Sequence, residues 1–239
     1  MRHLMIAAAA LALVPAAAQA TILTFDIADG VSNFENMPQT YGDNVSAAID
    51  GLGHSYGVGA EGYTPNVTVD YGTPGEDPAL WTTGYGDLTN IYFNDADGDL
   101  TFTTTFTADA GFLVDLYSFD MAWYFASPQT IAGLSIVDVA QNQVLYSQGP
   151  FVLPGGEAHT PFTFATPLSA STLRIVVDLT GLGGVSDDVA LDNIRFGQSQ
   201  APVVGGIPEP STWAMMILGF GAAGTMLRGA RRRETLGAA

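Results

Sequence analysis

The amino-acid sequence predicts an all-β protein whose central part is an antiparallel β-sandwich of jelly-roll type with nine or ten strands. Between residues 21 and 198, short runs of β-branched and aromatic residues alternate with glycine, aspartate, asparagine and proline. No long stretch of this region has apolar residues at helical spacing. Short strands at turn-marked intervals are typical of sandwiches and jelly rolls. We expect an N-terminal signal peptide and a single C-terminal transmembrane helix to flank the sandwich.

The strands are predicted where apolar runs lie between turn residues. Period-two alternation is clear in the segment 171–178, which can bury one face and expose the other. A short helix is expected near residues 46–51. The predicted strands are residues 22–27, 66–71, 88–93, 100–107, 112–125, 131–139, 143–147, 161–165, 172–179 and 189–196.

The charge and composition of the chain exclude several classes of function. Its 239 residues include 24 acids against seven bases, all arginine, for a net charge of −17, and there is no lysine or cysteine. A chain this acidic does not neutralise phosphates, so nucleic acid is not an expected partner. The absence of cysteine excludes disulfides and thiolate metal sites, and the absence of lysine excludes Schiff-base chemistry.

Residues 1–20 have the three parts of a secretory signal peptide. Arg2 and His3 begin the segment, residues 4–14 are apolar, and Ala18-Gln19-Ala20 is a signal-peptidase site. A short membrane anchor is the alternative, but the apolar run is well below the ~20 residues that span a bilayer. We therefore expect signal peptidase to act on this chain and the mature protein to begin outside the cytoplasm.

The C-terminal segment has the sequence of a membrane anchor preceded by a linker, residues 199–207. The apolar stretch 212–227 carries no charge, begins beside an interfacial aromatic residue, Trp213, and ends at an arginine cluster in 228–233. A buried core helix is the alternative. The positive-inside rule places the C-terminus in the cytoplasm. The arginines are Arg228, Arg231, Arg232 and Arg233.

The motifs of this tail, taken in order, resemble the PEP-CTERM sorting signal of Gram-negative bacteria, in its PEPxxWA variety. The matching elements are Pro208-Glu209-Pro210, Trp213-Ala214, the glycine-bearing apolar stretch and the arginine run. The resemblance implies that an exosortase-type membrane protease recognises the Pro-Glu-Pro element and removes the helix. The protein would then pass from a transient inner-membrane intermediate to the cell surface or the exopolysaccharide matrix. A plain C-terminal anchor is the alternative.

The segment 190–196 resembles the last strand of galactose-binding-like jelly rolls, which are common in exported carbohydrate-binding modules.

Between residues 21 and 207 the chain has 22 acids and two arginines, a net charge of −20. Asp95, Asp97 and Asp99 surround a glycine as in the start of a calcium loop, although Phe106 stands where an EF-hand has glutamate. The alternative is a hairpin turn. By analogy with jelly-roll modules, Asp192 and Asp26 form a second candidate calcium site.

Aromatic residues in the glycine-rich region 51–93 are candidates for stacking on sugar rings. Trp81, Tyr85 and Tyr63 are the strongest of them. The alternative is that these rings cap the core of the sandwich.

No catalytic motif stands out in the sequence. The histidines show no H-E-x-x-H spacing, and no pair of carboxylates is distinguished from the rest. We therefore expect a non-catalytic structural or adhesive protein of the cell surface, with calcium as its candidate ligand. A carbohydrate-binding module for exopolysaccharide is the alternative, followed by a secreted glycan hydrolase.

Overall fold

The computed structural model describes residues 20–28, 30–72, 78–94, 98, 100–182, 188–202, 215–218 and 220. The chain divides into two compact units, residues 1–201 and 202–239. In the second unit, the described residues 215–218 and 220 are helical. All strands discussed below belong to the first unit.

In the described part of the chain we number fourteen strands. They are β1 (Thr21–Leu23), β2 (Glu35–Asn36), β3 (Val67–Tyr71), β4 (Ala79–Trp81), β5 (Ile91–Phe93), β6 (Thr101–Ala108), β7 (Phe112–Trp123), β8 (Gln129–Ile131), β9 (Gly133–Asp138), β10 (Gln143–Gln148), β11 (Phe151–Leu153), β12 (Thr160–Ala170), β13 (Thr172–Asp178) and β14 (Val189–Gln200).

These strands form two antiparallel sheets, which we call the front and back sheets. The front sheet has the order β12-β7-β14-β5-β4-β2, with β1 also paired to β14. The back sheet has the order β10-β9-β13-β6-β3, and β8 and β11 form a small separate ladder. Consecutive strands such as β5 and β6, or β6 and β7, lie in different sheets. The predicted antiparallel β-sandwich is confirmed.

The main core lies between the two sheets and follows the predicted alternation. On β13, Leu173, Ile175 and Val177 are fully buried while the residues between them are half-buried. Ile194 and Phe196 of β14 face the same core. Burying each such side chain contributes about 1.5–3 kcal/mol.

The front sheet also has an apolar cluster on its outer face, which the sequence did not predict. Its members alternate along β5 and β14 with residues of the main core, so they lie on the opposite side of the sheet. Trp81 packs against this cluster. The cluster consists of Ala79, Tyr85, Leu88, Ile91, Phe93, Ala122 and Ala190.

The long connection from β1 to β3 contains only the two-residue strand β2 and is held by buried tyrosine hydroxyls. The Tyr41 hydroxyl accepts from the Phe25 N–H at 3.0 Å and donates to the Ser55 carbonyl at 3.1 Å. Tyr71 donates to the Tyr41 carbonyl at 2.8 Å. Phe25 has a left-handed backbone, with φ of 54°, which costs energy in a bulky residue. The tyrosine contacts hold that conformation in place.

Two further tyrosines extend this arrangement. Tyr56 donates to Asp50 at 3.2 Å and accepts from the Gly42 N–H at 3.3 Å. Tyr92 of β5 donates to the Thr103 carbonyl of β6 at 3.0 Å and thereby joins the two sheets. Burial raises the pKa of both Tyr41 and Tyr56 above their ordinary value of 10.0, so these hydroxyls remain neutral donors at physiological pH.

Several predicted elements differ from the structure for local reasons. Strands β2, β4 and β11 have only two or three residues, too few to show alternation. The predicted strand 131–139 is divided into β8 and β9, and no helix forms at 46–51. Strand β14 continues to Gln200, so residues 199 and 200, which we predicted to be linker, belong to the sheet.

The hairpin interpretation of the acidic segment 94–99 is wrong, because β5 and β6 belong to different sheets. Among the residues that the structure describes, no helix is both long and apolar enough to cross a membrane. The predicted span 212–227 therefore stays a prediction. The signal peptide up to residue 19, the Pro-Glu-Pro motif, Trp213, Ala214 and the arginine cluster lie outside the described residues.

The Tyr41 hydroxyl provides a test of this arrangement. Replacing Tyr41→Phe leaves the Phe25 N–H and the Ser55 carbonyl without their partner, which costs about 1–3 kcal/mol for buried groups. We expect the melting temperature, measured by circular dichroism on the purified protein, to fall by roughly 2–10 °C.

Tyr63→Phe is the matched control, because Tyr63 is 48% exposed, and its melting temperature should not change. Equal stability of the Tyr41 and Tyr63 variants would show that the tyrosine hydroxyls do not hold the long connection.

Candidate functional site

The outer face of the front sheet carries a fixed loop, residues 82–90, between β4 and β5. Tyr85 and Leu88 of this loop are buried in the outer cluster. The Asn90 N–H donates to the Thr82 carbonyl at 2.9 Å and closes the loop. Gly86 has φ of 62°, and a Cβ at this position would lie 2.5 Å from the Ala158 carbonyl oxygen. Only glycine allows the loop to approach this closely.

A pocket of about 240 Å³ lies beside this loop and is lined almost entirely by aromatic rings. We call it the aromatic pocket. Tyr85 and Phe93, each 1% exposed, form its buried wall, while Phe34 is 61% and Tyr124 39% exposed at its mouth. Its lining residues are Phe34, Trp81, Tyr85, Phe93, Tyr124 and Asp188.

Trp81 occupies the centre of this ring assembly and has a fixed orientation. Its ring centroid lies 4.7 Å from Phe34, 5.5 Å from Tyr124 and 5.8 Å from Phe93, in each case edge to face. The indole N–H donates to the Thr83 carbonyl at 2.6 Å. Aromatic contacts of this geometry stabilise the pair by about 0.5–1.5 kcal/mol each. The site is therefore formed in advance of any ligand.

An acidic network adjoins the aromatic pocket on the same face of the sheet. Asp192 and Asp120 are paired across β14 and β7, one pleat from the Ala190–Ala122 pair of the outer cluster. Such a step along a strand is about 7 Å. His159 joins Asp120 to the 82–90 loop, with its Nδ1 2.6 Å from Asp87 Oδ1 and its Nε2 3.7 Å from Asp120 Oδ1.

Asp192 is the buried member of this network. It is 4% exposed and accepts from the Asn193 N–H at 2.7 Å. The Asn193 amide also donates to Asp120, at 3.0 Å. Burial, reinforced by the charges of Asp120 and Asp26, raises the pKa of Asp192 from 3.8 to about 8. The Asp192 carboxyl is therefore mostly protonated at neutral pH. By contrast, the hydrogen bond to His159 lowers the pKa of the exposed Asp87 carboxyl.

The structure separates the three predicted stacking residues. Trp81 lies at the aromatic pocket. Tyr85 also lines it, but it is only 1% exposed, so its ring forms a buried wall rather than an exposed stacking surface. Tyr63 lines a different surface depression, with Glu61 and neighbouring alanines.

Sequence reasoning missed Phe34 and Tyr124 as members of the site. The predicted strand 112–125 includes Tyr124, whereas this residue lies just beyond the end of β7 and is 39% exposed. Phe34 lies in a turn with φ of 63° and reaches the pocket only through the pairing of β2 with β4. No local pattern marks either residue.

The structure describes Asp26 and Asp192 of the predicted calcium ligands. Asp95, Asp97 and Asp99 lie outside the described residues. Asp26 accepts from the Asn90 side chain at 2.7 Å, and its negative charge helps to raise the pKa of Asp192. Within the described ranges, no group of three or more histidine, aspartate or glutamate side chains is arranged to hold a metal. Calcium binding at either place stays a prediction.

Comparison with known protein families identifies the tail. The family model of the PEP-CTERM protein-sorting motif matches residues 206–233. This confirms the resemblance drawn from the Pro-Glu-Pro element, the tryptophan and the arginine run. The motif marks the chain as an exported protein that an exosortase-type system sorts to the cell surface. No curated protein matches the chain.

Comparison with solved structures finds chains of low similarity to this one. A carbohydrate-binding module, CBM4, shares 14% identity over 55% of this chain and 87% of its own, with a TM-score of 0.32. The family 32 module from C. perfringens NanJ in complex with galactose shares 10% over 56% and 92%, with a TM-score of 0.29. A cyclase from Fischerella sp. TAU shares 15% over 77% and 100%, with a TM-score of 0.37. Likeness at this level does not assign a ligand or an activity.

The buried Asp192 carboxyl makes stability depend on pH. Below about pH 4 both the folded and the unfolded chain bind its proton. Between about pH 4 and pH 8 only the folded chain retains the proton, so the free energy of unfolding decreases as pH rises through this window. Asp192→Asn removes the effect and keeps an oxygen that accepts from Asn193. We expect its melting temperature to match the wild type at pH 4 and to exceed it by on the order of 5 °C at pH 8.

Asp109→Asn, which replaces a carboxyl at an exposed turn, is the control, and its melting temperature should match that of the wild type. If Asp192 instead holds calcium together with Asp26, millimolar calcium raises the melting temperature of the wild type relative to EDTA. In that case Asp192→Asn lowers stability at pH 8, which contradicts the prediction of a protonated carboxyl.

Proposed function

We propose that this exported chain is a non-catalytic, glycan-binding β-sandwich of the cell surface and that the aromatic pocket binds the sugar. The pocket itself carries the proposal, because it combines preformed aromatic walls with a carboxylate at one position. Sugar rings have apolar C–H faces that pack on aromatic rings and hydroxyl groups that donate to carboxylates. Ligand sites commonly combine apolar walls with a few polar groups.

The size of the pocket limits what it binds. Its volume of about 240 Å³ is below the roughly 300–1,000 Å³ typical of sites for drug-sized ligands. A site of this size accommodates one sugar ring. We therefore propose recognition of a terminal or branching sugar of an exopolysaccharide rather than of a long internal segment.

The acidic network gives little support to a glycan hydrolase. A hydrolase of this kind needs two carboxyl groups that both reach the substrate. Asp192 is 4% exposed and hydrogen-bonded to Asn193, so it does not face solvent beside Asp120. We assign the network a structural role, because it links β7, β14 and the 82–90 loop beside the aromatic pocket.

The sorting motif supports a route to the surface. We propose that signal peptidase removes the N-terminal segment and that the C-terminal helix holds an inner-membrane intermediate with its arginines in the cytoplasm. An exosortase-type protease then acts at Pro208-Glu209-Pro210 and releases the sandwich to the surface or the exopolysaccharide matrix. If the sandwich binds that matrix, it has a structural or adhesive role there. Calcium at Asp95, Asp97 and Asp99 would be an additional structural ligand.

Binding at the aromatic pocket can be tested with Trp81→Ala. Loss of the central ring should weaken binding of the best ligand from a glycan array about tenfold or more, which is about 1.4 kcal/mol. Phe34→Ala, which alters an exposed ring, should weaken binding as well. Isothermal titration calorimetry on the purified protein provides the measurement, and the melting temperature confirms folding.

Tyr63→Ala is the control, since Tyr63 is an exposed ring away from the pocket. If the Trp81 and Phe34 variants bind as tightly as the wild type and the Tyr63 variant does not, the sugar is bound elsewhere.

The sorting proposal can be tested by replacing Pro208, Glu209 and Pro210 with alanine in a host that has the protease. We expect the altered protein to retain its tail and remain in the membrane fraction, because the protease no longer recognises it. Immunoblotting of membrane, surface and medium fractions measures the outcome. Normal loss of the tail and normal surface display would falsify the proposal, and Glu234→Ala, beyond the motif, is the control.

A further inference from the structure

The aromatic pocket has one charged group in its described lining, the carboxylate of Asp188. This residue immediately precedes β14, and its carbonyl accepts from the Tyr124 N–H at 3.4 Å. The backbone therefore fixes Asp188 next to one of the exposed rings. The faces of aromatic rings carry negative potential and attract cations, most strongly at tryptophan. A carboxylate among such rings is the usual chemistry of a site for an organic ammonium group.

The charges around the pocket favour a cation over an anion. The mature chain up to residue 207 has a net charge of −20 and only two bases. Arg195 is paired with Glu61 at 2.9 Å, and Arg174 donates to Thr105 on the back sheet. Neither arginine lines the pocket.

Asp87 and Asp120 of the network lie on the same face as the pocket and add to this field. Asp87, whose side chain is 57% exposed, is two residues from Tyr85 in the 82–90 loop, and Asp120 is joined to it through His159. A uronic acid or a sulfated sugar would meet repulsion here, because no arginine lines the pocket and His159 is already paired with Asp87 and Asp120. A cationic sugar gains from both the rings and the field.

We propose that the sugar bound at the aromatic pocket carries a protonated amine, so that the ligand class is a glycan with free amino groups. The inference rests on the proposed glycan-binding function and specifies its substrate class. The ammonium lies against the rings near Asp188, and the remainder of the same sugar ring packs on Trp81. Acetylation of the amine removes the charge and therefore most of the preference for this sugar over a neutral one.

The test uses isothermal titration calorimetry on the purified protein to compare the binding of three trisaccharides: the glucosamine trimer, the N-acetylglucosamine trimer and cellotriose. We expect the glucosamine oligomer to bind at least tenfold more tightly than the other two at pH 6 and low salt. The preference should decrease several-fold in 1 M sodium chloride, because salt screens the attraction.

Asp188→Asn should reduce the preference for the glucosamine trimer to about twofold, because the loss of the charge weakens its binding more than that of the neutral sugars, whose hydroxyls can still donate to the asparagine oxygen. Asp109→Asn removes the same charge at an exposed turn and should leave the preference intact. The salt dependence of the wild type gives an independent measurement if Asp188→Asn does not fold.

The outcomes separate the inference from the proposed function. If the charged and neutral oligomers bind equally and Trp81→Ala binds neither, the preference for an amine is wrong but the glycan site is supported. An equal reduction for all three sugars in Asp188→Asn also overturns the inference, since it shows a positioning role. If no glycan of any charge binds, or if Trp81→Ala binds them as well as the wild type, the proposed function itself fails.

Discussion

The fold depends on hydrogen bonds that buried tyrosine hydroxyls make to the backbone. The connection from β1 to β3 has little regular structure of its own, and a buried backbone group without a partner costs about 1–3 kcal/mol. Tyr41, Tyr56 and Tyr71 supply those partners from within the core. Tyr92 does the same between the sheets and belongs to β5. The neighbours of Tyr92 on β5 point to the opposite face, where Phe93 lines the candidate site.

The candidate site exists because the part of the front sheet around β4 and β5 is apolar on both faces. Main-core residues of β14 alternate with Ala190, and those of β5 alternate with Ile91 and Phe93, which lie under the 82–90 loop. A sheet face of this kind must be covered, and the loop covers it only in part. The uncovered remainder is the aromatic pocket. One packing requirement thus accounts for the outer cluster, the position of the loop and the exposed rings beside it.

The strands were the most predictable part of the structure and the site the least. Runs of β-branched and aromatic residues predicted β6, β7 and β13 nearly to their ends, and β13 shows the alternation of a strand that buries one face against a core. The short strands β2 and β4 carry no periodic signal, yet they place Phe34 beside Trp81. Trp81 was identified from the local density of aromatic residues, whereas the exposure of Tyr124 was not predicted, because exposure at a strand end depends on what packs beyond it.

By itself, the sequence determined the all-β class, the ordered sorting motif and the acidity of the exported part. These properties depend on composition, local alternation and short contiguous motifs. Only the tertiary structure decided that Tyr85 is buried, that Asp192 is forced toward its protonated form, and that the aromatic pocket has a carboxylate in its wall. Each of these depends on residues from separate strands and loops meeting on one face of a sheet. Such contacts are set by packing between distant segments, which leaves no pattern in any one of them.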